Sequence, residues 1–310
     1  GAAATASPLP ELDAAVIVPG FLSGASDFAD LAEQLEQRGV RAAVVPMPVW
    51  HWLPCLGGRG MRPVLERIDH TVRHLCASAG DPAAVPGFSY SISDCFADFQ
   101  DNPGGVFEVG GSAEPDEYPV REPRGEFPQA GEPRGRVAIV GHSAGGWIAR
   151  AYLSRRKYGG RAYCGAELVH SLVTLGSPHA DSRGAAFRGV AWVNREPAPD
   201  NVRCLAVGST GSIGRDSGQL TRNAYKFCTE GSDGSDIDGD GLTPTSSALA
   251  FEGAEQLVLD GATHFPWGDV FGGDIFAPEL AKAYNEGKPW YGSDEMLDQW
   301  APWLLKGSSA

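Results

Sequence analysis

A serine stands between two glycines, in Gly141-His142-Ser143-Ala144-Gly145, at the junction of two unlike stretches of sequence. Before it, Val137-Ala138-Ile139-Val140 is short, apolar and β-branched, which predicts a buried strand over 136–140. After it, Trp147, Ile148, Ala151 and Tyr152 recur at helical spacing, which predicts a helix over 145–157. A chain that turns so sharply from strand into helix has no room for side chains two positions either side of the turning residue. Gly141 and Gly145 supply that room. The pattern is the G-x-S-x-G nucleophile elbow, which lifts a serine hydroxyl above a strand tip at the head of a helix.

The rest of the chain repeats the same alternation. The run 14–18 ends in Pro19-Gly20 and reads as a strand; a helix capped by Ser26 follows, with Phe28, Leu31 and Leu35 on one face. A second strand is expected over 40–45 and a helix over 62–79. Further strands are expected over 169–175, 202–208 and 256–259, and Ser293 caps a closing helix with Met296, Leu297, Trp300 and Leu304. Strands that alternate with helices predict an α/β fold, a mostly parallel central sheet with helices on both faces. One domain is expected over 8–310.

One segment breaks the pattern. Residues 80–135 hold eight Pro and nine Gly, and seven aromatics against five Val, Leu or Ile. Such a stretch has too little aliphatic surface for a core of its own, and reads as a lid-like excursion across the parent domain.

Composition excludes several classes. The net charge of −14 makes nucleic acid an unfavourable partner. No run of 18 apolar residues occurs, so a soluble or peripheral protein is expected, and residues 1–7 show no apolar leader stretch. The six cysteines form no C-x-x-C pair and fit no zinc spacing; Cys164 and Cys204 read as core residues, while a disulfide among Cys55, Cys76 and Cys95 stays open. No metal and no cofactor is expected.

A serine hydroxyl needs a base, and the base needs an orienting carboxylate. With the serine on such an elbow, acid and base follow it in that chain order. Of seven histidines, His264 alone follows a late strand and leaves room for the acid before it. His142 should point into packing, and His179, after the strand tip at 175, should line or support the site; with Leu22 both are candidate substrate-binding residues. Asp233, Asp236, Asp238 and Asp240 crowd one loop; Asp240 is the chosen acid and Asp238 the next. Asp236-x-Asp238-x-Asp240-Gly241 also copies the start of a calcium loop, but Ser247 stands where its bidentate Glu belongs. The amide of Ala144 and that of Phe21, or else Leu22, should form the oxyanion hole. Trp50, Trp52, Phe88, Phe96, Phe99 and Phe107 are candidates to line an apolar entrance. Between Lys226 and Lys282 there are eleven acidic residues and no Lys or Arg, a field that would favour an imidazolium.

The ordered set Val18-Pro19-Gly20-Phe21, Gly141 to Gly146, Leu175-Gly176-Ser177-Pro178-His179, Asp240-Gly241-Leu242-Thr243-Pro244 and His264 resembles the α/β-hydrolases of lipase and esterase type. Gly20 to Ala25, the run 50–62 and Pro289-Trp290-Tyr291-Gly292 are similar to a group of plant and green-algal plastid hydrolases that includes the algal chlorophyllases. The resemblance implies an α/β-hydrolase fold and a serine ester hydrolase with Ser143, Asp240 and His264 as its triad. It implies a lipophilic ester as substrate: the phytyl ester of chlorophyll first, a galactolipid or acylglycerol second. It also implies a chloroplast location with transient contact to the plastid membrane. Pro19 departs from the His common in lipases, and 80–135 is not a standard lid. An acyltransferase or thioesterase with the same triad, and a non-catalytic lipid or pigment binder, are the alternatives.

Overall fold

The computed structural model describes residues 9–104, 114–266 and 287–305. Six strands form one sheet in the order β2-β1-β3-β4-β5-β6: β1 Glu11–Val18, β2 Arg41–Val44, β3 Arg136–His142, β4 Val169–Leu175, β5 Arg203–Thr210 and β6 Glu255–Asp260. All five pairings are parallel. The central strand β4 is buried along its whole length, as a strand covered on both faces must be. β6 lies at the edge, with Glu255 and Asp260 exposed.

Side-chain alternation along β1 assigns the two layers. Ala14, Val16 and Val18 face one core, shared with α2 (Arg62–Ala77), α4 (Ala144–Leu153) and α5 (Arg188–Val193). Ala15 and Ile17 face the other, packed by α1 (Ala29–Gln37) and the closing helix α8 (Asp294–Leu304). Leu31, Leu35, Leu297 and Trp300 are fully buried there; burying each such side chain stabilises by about 1.5–3 kcal/mol. Helices therefore cover both faces. Three further helices on the described chain are α3 (Ile92–Asp101), α6 (Gly218–Cys228) and α7 (Thr245–Ala248).

Several local expectations are corrected. Ser26 does not cap a helix: a 3-10 turn spans Ala25–Phe28, and α1 begins only at Ala29. Ser293 does stand at the head of α8, but its hydroxyl accepts from the Trp290 amide. All six cysteines are free, and Cys164 is half-buried with a left-handed backbone.

The 80–135 segment is not structureless. It contains α3, opened by a capping box in which Ser91 and Asp94 exchange hydrogen bonds. Polar ties replace the missing aliphatic core. Buried Asp98 accepts from the Tyr90 hydroxyl at 2.8 Å and pairs with Arg124 at 3.1 Å, while Asn102 donates to the Pro54 and Gly60 carbonyls. These bonds hold α3 against the 3-10 stretch Val49–Gly58. Phe107 lies outside the described residues.

Candidate active site

Ser143 follows directly on the tip of β3 and precedes α4. Its backbone, at φ 50° and ψ −126°, is one that few residues with a Cβ adopt. The Ser143 amide donates to Leu175 O at 2.9 Å, which ties the strained residue to the end of β4. The glycines around it are sterically required: a Cβ at Gly145 would lie 2.5 Å from Val18 O, and one at Gly141 would lie 2.6 Å from the Gly146 Cα. The Ala144 amide sits at the N-terminus of α4, where the helix dipole favours negative charge.

The loop after β1 reaches the same place. A Cβ on Gly20 would lie 2.7 Å from His142 Nδ1 and 2.9 Å from Ser143 Cβ. Phe21 and Leu22 follow, both more than a third exposed, and Leu22 has φ 60°. Among the described residues neither of their amides has an acceptor, so both donors are unspent at the edge of the elbow.

Asp240 and His264 form a buried pair. His264 Nδ1 lies 2.8 Å from Asp240 Oδ2, and the two residues are 1% and 0% exposed. The His264 amide also donates to the Asp240 carbonyl at 2.9 Å. The other carboxylate oxygen, Oδ1, accepts from the Leu242 and Thr243 amides at 2.9 and 2.7 Å. Burial pushes the Asp240 carboxyl up, but the His264 charge, its hydrogen bond and those two amides outweigh it, so the group sits below the usual carboxylate range. In the neutral form of His264, with Nδ1–H donating to the carboxylate, the ring lone pair is on Nε2.

Sequence reasoning missed Tyr291. Its fully buried hydroxyl donates to Asp240 Oδ2 at 2.9 Å, the oxygen that His264 also uses. Trp300 on α8 donates to the Tyr291 carbonyl at 2.9 Å and holds that segment in place. The partner lies 51 positions away, and only the long-range fold brings the two together.

Other assignments change. His142 is 1% exposed and lines no surface; its Nε2–H donates to His264 O at 2.8 Å, which joins the elbow to the loop that carries His264. Burial, with the nearby His264, lowers it to about 3, so it stays neutral. His179 is also buried away from any surface. Its Nδ1 accepts from Arg150 at 3.2 Å and its Nε2 faces Thr174 Oγ1 at 3.1 Å, so it braces α4 against β4. Trp52 is a core residue with no exposure; its Nε1 donates to Ser23 O and its ring meets Phe21 edge-on at 5.3 Å, so it supports the Phe21 loop from beneath. Trp50 packs on His51 and Tyr90. Phe88 stacks on Phe127 at 4.6 Å and also meets His51 and His70, a cluster that includes no residue of the elbow. Phe99 lies under the Arg59 guanidinium, while Phe96 is exposed.

The crowded aspartates separate clearly. Asp238 Oδ1 accepts from the Gly211, Ser212 and Gly239 amides and knits its loop to the end of β5. Asp236 pairs with Arg215. The three carboxylates thus serve three different sets of partners. Of the acidic run, Glu252, Glu255 and Asp260 are exposed, and among its described members Asp240 alone bonds to the His264 ring.

A family model described as the PGAP1-like alpha/beta domain matches residues 126–187, the stretch that carries β3, the elbow and β4. No curated protein matches the chain. Among solved structures it is similar to a putative hydrolase of the alpha/beta superfamily from Xanthomonas campestris pv. campestris, at 17% identity over 88% of this chain and 98% of that one, with a TM-score of 0.37. It is also similar to the metagenomic carboxyl esterase MGS0156, at 14% identity over 94% of this chain and 77% of that one, with a TM-score of 0.46. With a parallel sheet layered by helices on both faces and a strained serine turn between β3 and α4, the protein has the α/β-hydrolase fold.

Proposed function

We propose that the protein is a serine carboxylic-ester hydrolase with Ser143 as nucleophile, His264 as base and Asp240 as the orienting acid. The observation that carries this reading is the buried Asp240–His264 hydrogen bond at 2.8 Å, with the His264 carbonyl bound at 2.8 Å by His142, the residue before Ser143. Ser143 Oγ attacks the ester carbonyl as His264 Nε2 takes its proton. The imidazolium, stabilised by Asp240, then protonates the leaving alcohol, and water clears the acyl-enzyme by the same steps. The Phe21 and Ala144 amides hold the oxyanion, and Leu22 is the alternative donor beside Phe21.

The substrate we propose is a lipophilic ester. Exposed Phe21 and Leu22 border the nucleophile with apolar surface and support that class. The phytyl ester of chlorophyll is the first candidate and a galactolipid or acylglycerol the second, both on the resemblance to plastid hydrolases. A plastid location with passing membrane contact belongs to the same proposal; no helix of the described residues is long and apolar enough to span a bilayer. The test is covalent labelling with a fluorophosphonate, followed by assay against chlorophyll, galactolipid, triacylglycerol and short p-nitrophenyl esters. Label on Ser143 with turnover of at least one lipophilic ester is expected. An unlabelled, inactive chain, folded as judged by circular dichroism, would sink the reading.

A further inference from the structure

A cavity of about 310 Å3 opens between α2 and the proline-rich strap at 123–133, bounded by Arg161 and Leu168. Leu168 meets the first residue pair of β3 and β4, whereas Ser143 follows the last residue of β3. In an all-parallel sheet these are opposite ends, so the cavity is separate from the candidate active site.

Its polar wall is unusual in charge. Asp69, 5% exposed, accepts from Arg73 Nε at 2.8 Å and from Tyr152 at 3.2 Å on one oxygen, and from Arg161 at 3.0 Å on the other. One carboxylate thus fixes two guanidiniums on the cavity wall. Each guanidinium has five N–H donors, and among the described residues Asp69 is the only side-chain acceptor for either. The Arg161 plane is steadied by the Tyr163 ring 5.1 Å away. Glu66 is buried on the same wall, but its carboxylate pairs with the Arg62 guanidinium at 3.3 Å, so that pair adds little net charge to the wall. His70 and His74 point their Nε2 atoms at the Pro86 and Pro128 carbonyls. The facing strap contributes the Phe127 ring and Pro123, Pro128 and Pro133, with Gln129 beside them.

We propose that this cavity is a binding site for a small organic monoanion, a carboxylate on a flat apolar body. The carboxylate takes the unspent N–H groups of Arg73 and Arg161, in the bidentate manner that guanidinium favours, and the body lies against Phe127. A dianion suits the site less well, because Asp69 leaves it only about one net positive charge. The inference does not depend on any reaction at Ser143.

The experiment is a titration of the whole chain, followed by calorimetry or ligand-observed NMR, with benzoate and its neutral isostere benzamide as probes. Benzoate should bind with a dissociation constant on the order of 1 mM. Benzamide should bind at least about 10-fold more weakly, since it cannot use the guanidinium pair as an anion does. Arg161→Gln or Arg73→Gln should weaken benzoate by about the same factor, whereas Arg183→Gln, on an exposed side chain paired with Glu230, should not. The proposal is overturned if benzamide binds as tightly as benzoate. It is equally overturned if both cavity variants, natively folded by circular dichroism, bind benzoate unchanged, or if benzoate shows no binding up to about 20 mM.

Discussion

The Tyr291 hydroxyl lies 2.9 Å from Asp240 Oδ2, the same oxygen that receives the His264 Nδ1 proton at 2.8 Å. Two donors therefore share one acceptor, and the tyrosine draws off part of the negative charge that would otherwise act on the imidazole. Asp240 also faces the Leu242 and Thr243 amides, with Tyr225 and Cys228 nearby. Removing the phenol leaves the carboxylate more basic and strengthens its hold on an imidazolium. In Tyr291→Phe the acidic limb of the kcat/KM profile should move to higher pH by about half a unit, with about 3- to 10-fold lower activity near neutrality. A pH–rate profile of the two proteins checks this. A lower rate with an unmoved limb would reduce Tyr291 to a packing residue.

The triad reading makes a graded prediction. Ser143→Ala and His264→Ala should each lower turnover by about 10⁴-fold or more. Asp240→Asn should follow with a large loss. Asp238→Asn should instead cost stability, about 1–3 kcal/mol from three amides left with a poorer acceptor, while the folded fraction keeps its turnover. Active-site titration combined with urea unfolding distinguishes the two effects.

Gly20 offers a purely steric test. An added methyl would press on the His142 ring and on Ser143 Cβ, at 2.7 and 2.9 Å. Gly20→Ala should displace the Phe21 loop and lower kcat by about 10²-fold, the size of one lost oxyanion donor, with little change in KM for a small p-nitrophenyl ester. Activity retained within about twofold would argue that this loop plays no part in holding the oxyanion.

Stability should fall early on acidification. His51 and His142 are both lowered to about 3, chiefly by burial, with Arg67 and His264 respectively adding to it. Unfolded, each binds a proton below about 6.5. Between about 6.5 and 3 the unfolded chain therefore holds protons that the folded one does not, and stability declines as pH drops through that window. His142 alone contributes up to about 1.4 kcal/mol per pH unit. Asp240, depressed as an acid, acts in the same direction at the lower end: its contribution is present above the usual carboxylate pKa and is lost as pH falls through its own. Urea midpoints at pH 7.5, 6.5, 5.5 and 4.5 should decrease steadily below 6.5; a flat series would contradict this account.

What could be read from residues alone was what is local. The elbow is legible because two glycines, a β-branched run and an apolar helical face occur within some fifteen residues, and each carries its own steric reason. His264 follows from chain order. The choice between Asp238 and Asp240 rested on the residues beside Asp240, because what keeps Asp238 occupied is a pair of amides 26 and 27 positions away. Tyr291 was invisible for the same reason. Trp52 shows another limit: an aromatic that lines an entrance and one that underlies it have the same composition, and only packing separates them. The capping box at Ser91 and Asp94 was readable, but proline and glycine counts over 80–135 overrode it.

The bond from Trp300 to Tyr291 carries a consequence in time. Ser143, Asp240 and His264 all leave the ribosome before Tyr291 and α8 do. Until α8 docks, the carboxylate lacks one of its donors and the segment bearing the phenol lacks its anchor. A chain synthesised only as far as residue 266 thus already carries Ser143, Asp240 and His264, but not yet the phenol that completes the hydrogen bonds of the Asp240 carboxylate.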